Sequence, residues 1–183
     1  MKIQVSALSF FMAMPVLVAV AQSPQDGVWQ KVGTKEDLVI GSVTLPSFAL
    51  GSEDVPSALY SDEANGGKAS VVRFNTAKDE WSYVGQPGFS TDAIAEYKLG
   101  VDNMGGYYLA YFAADTPGGT GRVMRFNAAK GEWIYVGPPH SINQSLDIAF
   151  DNKNIPHFVS QEPPGVVRFN DKKEKWVSVS EQL

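Results

Sequence analysis

The sequence predicts an all-β protein, an array of about three four-stranded antiparallel units preceded by an orphan N-terminal strand. Three observations lead there. Residues 71–85, VVRFNTAKDEWSYVG, recur as residues 123–137, VMRFNAAKGEWIYVG, and more loosely as residues 166–180, VVRFNDKKEKWVSVS. In every copy a phenylalanine precedes a tryptophan by seven residues, at Phe74 and Trp81, Phe126 and Trp133, and Phe169 and Trp176, while the connecting segments vary in length. A fixed block between elastic connectors marks one repeated hairpin. Helical periodicity, finally, is not sustained anywhere after the first 21 residues.

The block itself reads as two strands and a turn. In Val71-Val72-Arg73-Phe74-Asn75 the β-branched and aromatic residues favour a pleated backbone, with Val72 and Phe74 on one face and Val71 and Arg73 on the other. Asn75, Asn127 and Asn170 open polar segments whose side chains bond their own backbone, and Gly131 supplies a residue that accepts positive φ. Trp81-Ser82-Tyr83-Val84-Gly85 returns as the second strand.

Residues 1–21 have the form of an export signal. Lys2 is the short basic region, residues 7–21 are apolar apart from Ser9, and Ala19-Val20-Ala21 is a small-x-small cleavage site before Gln22. That apolar stretch is 15 residues long and includes Pro15, short of the ~20 that a membrane span needs. The expectation is a secreted protein, extracellular or periplasmic, free of the membrane once cleaved, whose repeat domain spans residues 22–183. The chain contains no cysteine, so neither a lipid-modified N-terminal cysteine nor a disulfide scaffold is available. Stability then rests on packing.

Within 22–183 the units fall at about 34–85, 86–137 and 138–183. Residues 28–33, VWQKVG, match the second strand of the block without its first and form the orphan strand; Trp29, Trp81 and Trp133 follow at 52-residue intervals, and Trp176 after 43. Each unit also carries an earlier hairpin. In the middle unit apolar runs at 95–101 and 107–112 flank Asp102-Asn103-Met104-Gly105-Gly106; in the last, 146–150 and 157–160 flank Asp151 to Pro156. The first unit, with runs at 47–51 and 57–60, is the most degraded. Four strands in about 50 residues is the arithmetic of a propeller blade, so the array is expected to be β-propeller-like.

The motif Phe-Asn-x-x-Lys-x-x-Trp-x-x-Val-Gly, at Phe74 to Gly85 and Phe126 to Gly137, resembles the third-to-fourth strand segment of kelch and galactose-oxidase-like β-propellers. The resemblance covers most of residues 22–183 and implies blade architecture only. The copper chemistry of that family uses a cysteine-linked tyrosine and histidine ligands, and this chain has no cysteine and two histidines, His140 and His157.

No other cofactor or catalytic constellation is legible. His140 reads as a loop residue after Pro138-Pro139 and His157 as a strand residue, without the spacing of a zinc site. There is no Gly-x-Ser-x-Gly elbow, and Gly118-Gly119-Thr120-Gly121 lacks the Gly-Lys-Ser/Thr of a phosphate cradle. A net charge of −5 and no basic run longer than Lys172-Lys173 argue against nucleic acid as a partner.

The repeated residues therefore read as structural first. Trp29, Trp81, Trp133 and Trp176 read as wedges between neighbouring units ahead of sugar-stacking platforms. Arg73, Arg125 and Arg168 read as partners of hairpin carboxylates such as Glu80 or Glu132 ahead of an anion-binding ring. Asp102 and Asp151 read as turn residues ahead of calcium ligands. Asn143-Gln144-Ser145 is the only N-glycosylation sequon, its acceptor being Asn143.

Three functional classes remain. The favoured one is a secreted, non-enzymatic binding module for carbohydrate or protein. The alternatives are a propeller-type glycosidase or lyase, which needs converging carboxylates among acids such as Asp92, Asp102 and Asp151, and an assembly module or incomplete piece of a larger propeller. Because a closed ring takes about 4–8 blades, three units lead to the expectation of a homodimer that closes a six-bladed ring.

Overall fold

The computed structural model describes residues 43–51, 54–115, 120–141, 147–161 and 164–179. The expected export signal at 1–21, the expected orphan strand with Trp29, and Asn143 lie outside the described residues. Three antiparallel sheets follow one another along the chain. Sheet 1 is β1 (Val43–Leu50), β2 (Pro56–Asp62), β3 (Lys68–Asn75) and β4 (Glu80–Tyr83), in that order. Sheet 2 is β5 (Ile94–Val101), β6 (Tyr107–Ala113), β7 (Thr120–Asn127) and β8 (Glu132–Tyr135), with the two-residue β9 (His140–Ser141) paired to the start of β7. Sheet 3 is β10 (Ile148–Phe150), β11 (Pro156–Gln161), β12 (Pro164–Asn170) and β13 (Lys175–Ser178).

The repeated block forms the last hairpin of each sheet in one register: Phe74 faces Trp81, Phe126 faces Trp133, and Phe169 faces Trp176. The turn chemistry also repeats. Asn75 Oδ1 accepts from the Ala77 and Lys78 amides, Asn127 Oδ1 from Ala129 and Lys130, and Asn170 Oδ1 from Lys173. Each turn closes through a left-handed residue, Asp79, Gly131 or Glu174. The returning strand is shorter than its sequence suggests. Val84 still donates to Val71 across the hairpin at 2.8 Å, but Gly85, at φ 82°, turns the chain away where a non-glycine residue would be strained.

The earlier hairpin is complete in every sheet, including the first, whose sequence looks degraded. Its turn keeps the same backbone bond in all three: Gly51 to Val55 (2.8 Å), Asp102 to Gly106 (2.9 Å) and Asp151 to Ile155 (3.2 Å). Glycine replaces aspartate in the first unit, so the motif disappears from the sequence while its backbone closure persists. His140 departs from expectation too, since it belongs to β9 and pairs with Gly121 rather than sitting in a loop.

The sheets stack face to face, and strand alternation shows how. Every residue of β6 is buried. Tyr107, Leu109 and Tyr111 join Leu59, Ala69, Val71 and Val84 of sheet 1 in one core, whereas Tyr108, Ala110 and Phe112 join Phe158, Val167 and Trp176 of sheet 3 in another. A strand covered on both faces needs apolar residues at odd and even positions alike, and YYLAYFA supplies them. Fully burying a side chain such as Tyr111, Phe158 or Leu59 contributes about 1.5–3 kcal/mol. The first strands lie closest together: β1 contacts β5, and β5 contacts β10.

Candidate functional site

Trp133 and Trp176 sit at the sheet junctions. Trp133 is buried, stacks on Phe89 at 4.3 Å with near-parallel rings, and donates its indole N–H to the Val84 carbonyl at 2.8 Å. Trp176 repeats the arrangement one junction further on, donating to Val136 at 3.2 Å and meeting Phe158 edge-on. Both rings are consumed by packing between sheets and present no platform to a ligand. Trp81, half-buried, lies against Phe74 at 5.5 Å.

The arginines occupy one repeated position, on the third strand of each sheet. Arg73 is opposite Ser82 and Arg125 opposite Ile134, whereas Glu80 and Glu132 face Asn75 and Asn127. Glu132 instead lies 3.7 Å from Lys130, across the exposed turn. Among the described residues two ion pairs bridge distant segments: Arg122 with Asp92, half-buried beside the sheet 1–sheet 2 junction, and the exposed pair of Lys98 with Asp147 at 3.8 Å. Arg168, between His157 and Val177 in the register, is half-buried.

Arg125 opens onto a cleft of about 700 Å³ between sheets 2 and 3. From sheet 2 come Tyr108 and Arg125, with Tyr135 on the edge strand; from sheet 3 come Lys153, Phe169, Asp171 and Glu174. Tyr108 is directly opposite Arg125 in the β6–β7 register. Burial, reinforced by the Asp102 charge, pushes the Tyr108 phenol above its usual value against the opposing effect of Arg125, so the hydroxyl stays protonated at neutral pH. Tyr135 is held by its hydroxyl, 2.7 Å from Thr91 Oγ1 and 3.2 Å from Tyr111 OH.

The turn carrying Lys153 is preorganised. Asp151 Oδ1 accepts from the Lys153 amide at 2.8 Å and the Ile155 amide at 2.9 Å, and these backbone bonds hold its carboxyl below the ordinary value of 3.8. The neighbouring turn braces it: Asn103 donates from its amide to Asn154 Oδ1 and from its side chain to the Asp151 carbonyl, both at 3.1 Å. Asp102 Oδ1 likewise takes the Met104 and Gly106 amides at 2.9 and 2.8 Å. The structure thus brings Asp102 and Asp151 into adjacent turns, each carboxylate engaged by its own backbone, and leaves Asp92 elsewhere with Arg122.

His157 turns its Nδ1 to the Ile155 carbonyl at 3.0 Å. Among the described residues no group of three or more His, Cys, Asp or Glu is placed to hold a metal ion, and no helix is long and apolar enough to cross a membrane. Sequence reasoning singled out Arg125 by its repeated position. It missed Tyr108, Lys153, Asp171 and Glu174, which come from two units and repeat no common residue type.

No protein-family model matches this chain, and no curated protein matches it. Among solved structures, it is similar to a protein of unknown function from Dyadobacter fermentans DSM 18053, at 12% identity and a TM-score of 0.44, over 74% of this chain and 53% of that one. The chain spans about half the length of that protein.

Proposed function

We propose that the three sheets are blades of a β-propeller-like array, akin to kelch and galactose-oxidase-like propellers in blade architecture, and that the protein is a secreted, non-enzymatic binding module for carbohydrate. Two features support the blade reading: the first strands β1, β5 and β10 lie side by side, and a tryptophan ties each junction to the preceding sheet. The observation that carries the binding reading is the cleft between sheets 2 and 3. It combines aromatic rings (Tyr108, Tyr135, Phe169) with donors (Arg125, Lys153) and acceptors (Asp171, Glu174). Such a lining suits a polyhydroxylated ligand, whose apolar ring faces and hydroxyl edges need both kinds of contact. Asp171 and Glu174 lie on an exposed turn, a solvated setting that favours hydrogen-bond acceptance over general-acid work.

A glycan array on the full chain, followed by calorimetry on the best ligand, tests this reading. Arg125→Ala and Lys153→Ala are each expected to weaken binding at least about tenfold, the loss of one charged hydrogen bond, while Arg73→Ala, the same repeat position at the other junction, leaves affinity unchanged. Binding that ignores both cleft variants, or cleavage of the sugar in the cell, would overturn it.

A further inference from the structure

The two internal junctions have the same construction, so the outer faces of the array can be compared with them position by position. On the trailing face of each sheet, the cross-strand pairs Leu59 with Val71, Ala110 with Val123, and Val159 with Val166 are equivalent. Leu59, Val71 and Ala110 are 0% exposed and Val123 4%, because the next sheet covers them. In sheet 3, Val159 is 45% and Val166 38% exposed.

The leading face gives the complementary comparison. Phe48 of β1, opposite Ala58, corresponds to Leu99 of β5, opposite Leu109. Leu99 is 3% exposed at the first junction and Phe48 is 60% exposed. Leu50, opposite Pro56, corresponds to Val101, which packs into that junction; Leu50 is 54% exposed. Towards β3 the same face is closed to solvent at Tyr60, Val72 and Phe74, so its open part is the inner half along β1. Large aliphatic and aromatic side chains in water at positions that are otherwise junction core mark an interaction surface.

We infer that the trailing face of sheet 3, centred on Val159 and Val166, receives the inner leading face of sheet 1, Phe48 and Leu50, from a second copy of this chain, head to tail. The inference rests on the reading of the sheets as blades. The occupant follows from continuity. The partners that cover Leu59, Val71, Ala110 and Val123 inside the chain are leading faces of the same repeat, and sheet 1 carries a leading face that is open along β1. A head-to-tail contact either closes or propagates. Two copies close with six sheets, within the range of about 4–8 for sealed rings, and each copy then contributes one leading and one trailing face.

Sedimentation velocity on the full chain at micromolar concentration tests the contact. The expected mass is twice the 19.9 kDa of one chain. Val159→Glu with Val166→Lys, an opposite-charge cross-strand pair on exposed positions, should give a monomer; so should Phe48→Lys with Leu50→Glu. An equimolar mixture of the two variants should recover a dimer, since one intact junction remains possible between them. A monomeric wild type with a cooperative melt overturns the inference, as does a dimer that survives the β1 changes, which would mean that trailing faces pair with each other. Should either variant fail to fold, the cysteine-free chain permits a second measurement. Leu50→Cys mixed with Val159→Cys is expected to cross-link with a short bismaleimide while neither does so alone; cross-linking of Val159→Cys by itself, or none in the mixture, overturns it.

Discussion

The indole N–H of Trp133 donates to the carbonyl of Val84 at 2.8 Å, tying the edge strand of sheet 2 to the last residue paired in sheet 1. The same bond recurs from Trp176 to Val136. Each donor thus sits one repeat after its acceptor, and each acceptor immediately precedes a left-handed glycine, Gly85 or Gly137. That glycine leaves room for the incoming rings: a Cβ on Gly85 would stand 3.1 Å from both Phe126 and Trp133.

Removing this tie is expected to destabilise the fold in two stages. Trp133→Ala should cost ~3–5 kcal/mol, because the indole leaves a cavity at a junction closed on both sides. Trp133→Phe keeps most of the ring volume but strands the buried Val84 carbonyl, and should cost ~1–3 kcal/mol. Urea unfolding measures both; a Trp133→Phe midpoint equal to that of wild type would mean that the indole bond contributes nothing.

Two glycines separate conformational strain from steric contact. Gly131 and Gly137 have nearly the same φ, 68° and 69°, but a Cβ on Gly131 meets nothing within 4 Å, whereas one on Gly137 would lie 2.5 Å from Phe169 Cε2. Gly131→Ala should cost ~1–2 kcal/mol from the left-handed backbone alone. Gly137→Ala should cost a further ~1–3 kcal/mol as Phe169 is forced off its rotamer or the junction shifts. Equal losses in denaturation would show that the ring yields without penalty.

Asp79 holds the turn position that Gly131 fills in the next unit, at φ 51° and exposed. Asp79→Gly relieves a left-handed non-glycine residue, offset by the greater freedom glycine has in the unfolded chain, for an expected net gain of ~0.5–1 kcal/mol. A higher melting temperature checks this, and a lower one would mean that the aspartate side chain supports the turn.

Asp151 makes part of the stability depend on pH in a defined direction. Its folded-state value is lowered, first by the Ile155 amide, so its contribution is fully present above the ordinary carboxylate value of 3.8 and is lost as pH falls below it towards the folded value. Asp151→Asn keeps an oxygen acceptor without a titrating proton. Urea midpoints measured from neutral pH down to acid should therefore fall less steeply for the variant than for wild type; parallel curves would remove Asp151 from the acid response.

The hairpins, their turns and their succession were legible in the sequence because each is made locally. Alternation within five residues, an asparagine that caps its own turn, and a tryptophan seven residues after a phenylalanine act over distances the chain itself sets. The repeat spacing carried this into three four-stranded sheets. What the tertiary structure decided is how neighbouring sheets meet. Arg125 was visible as a repeated residue, yet its expected partner Glu132 went to Lys130, while Arg122, which repeats nothing, reached Asp92 from the preceding connector. Tyr108 and Lys153 became neighbours around one cleft through the stacking of sheet 3 on sheet 2. Strand pairing is set by period and turn length, but contacts between sheets depend on twist and on which side chains interdigitate across some fifty residues of intervening chain, and no local pattern encodes that distance.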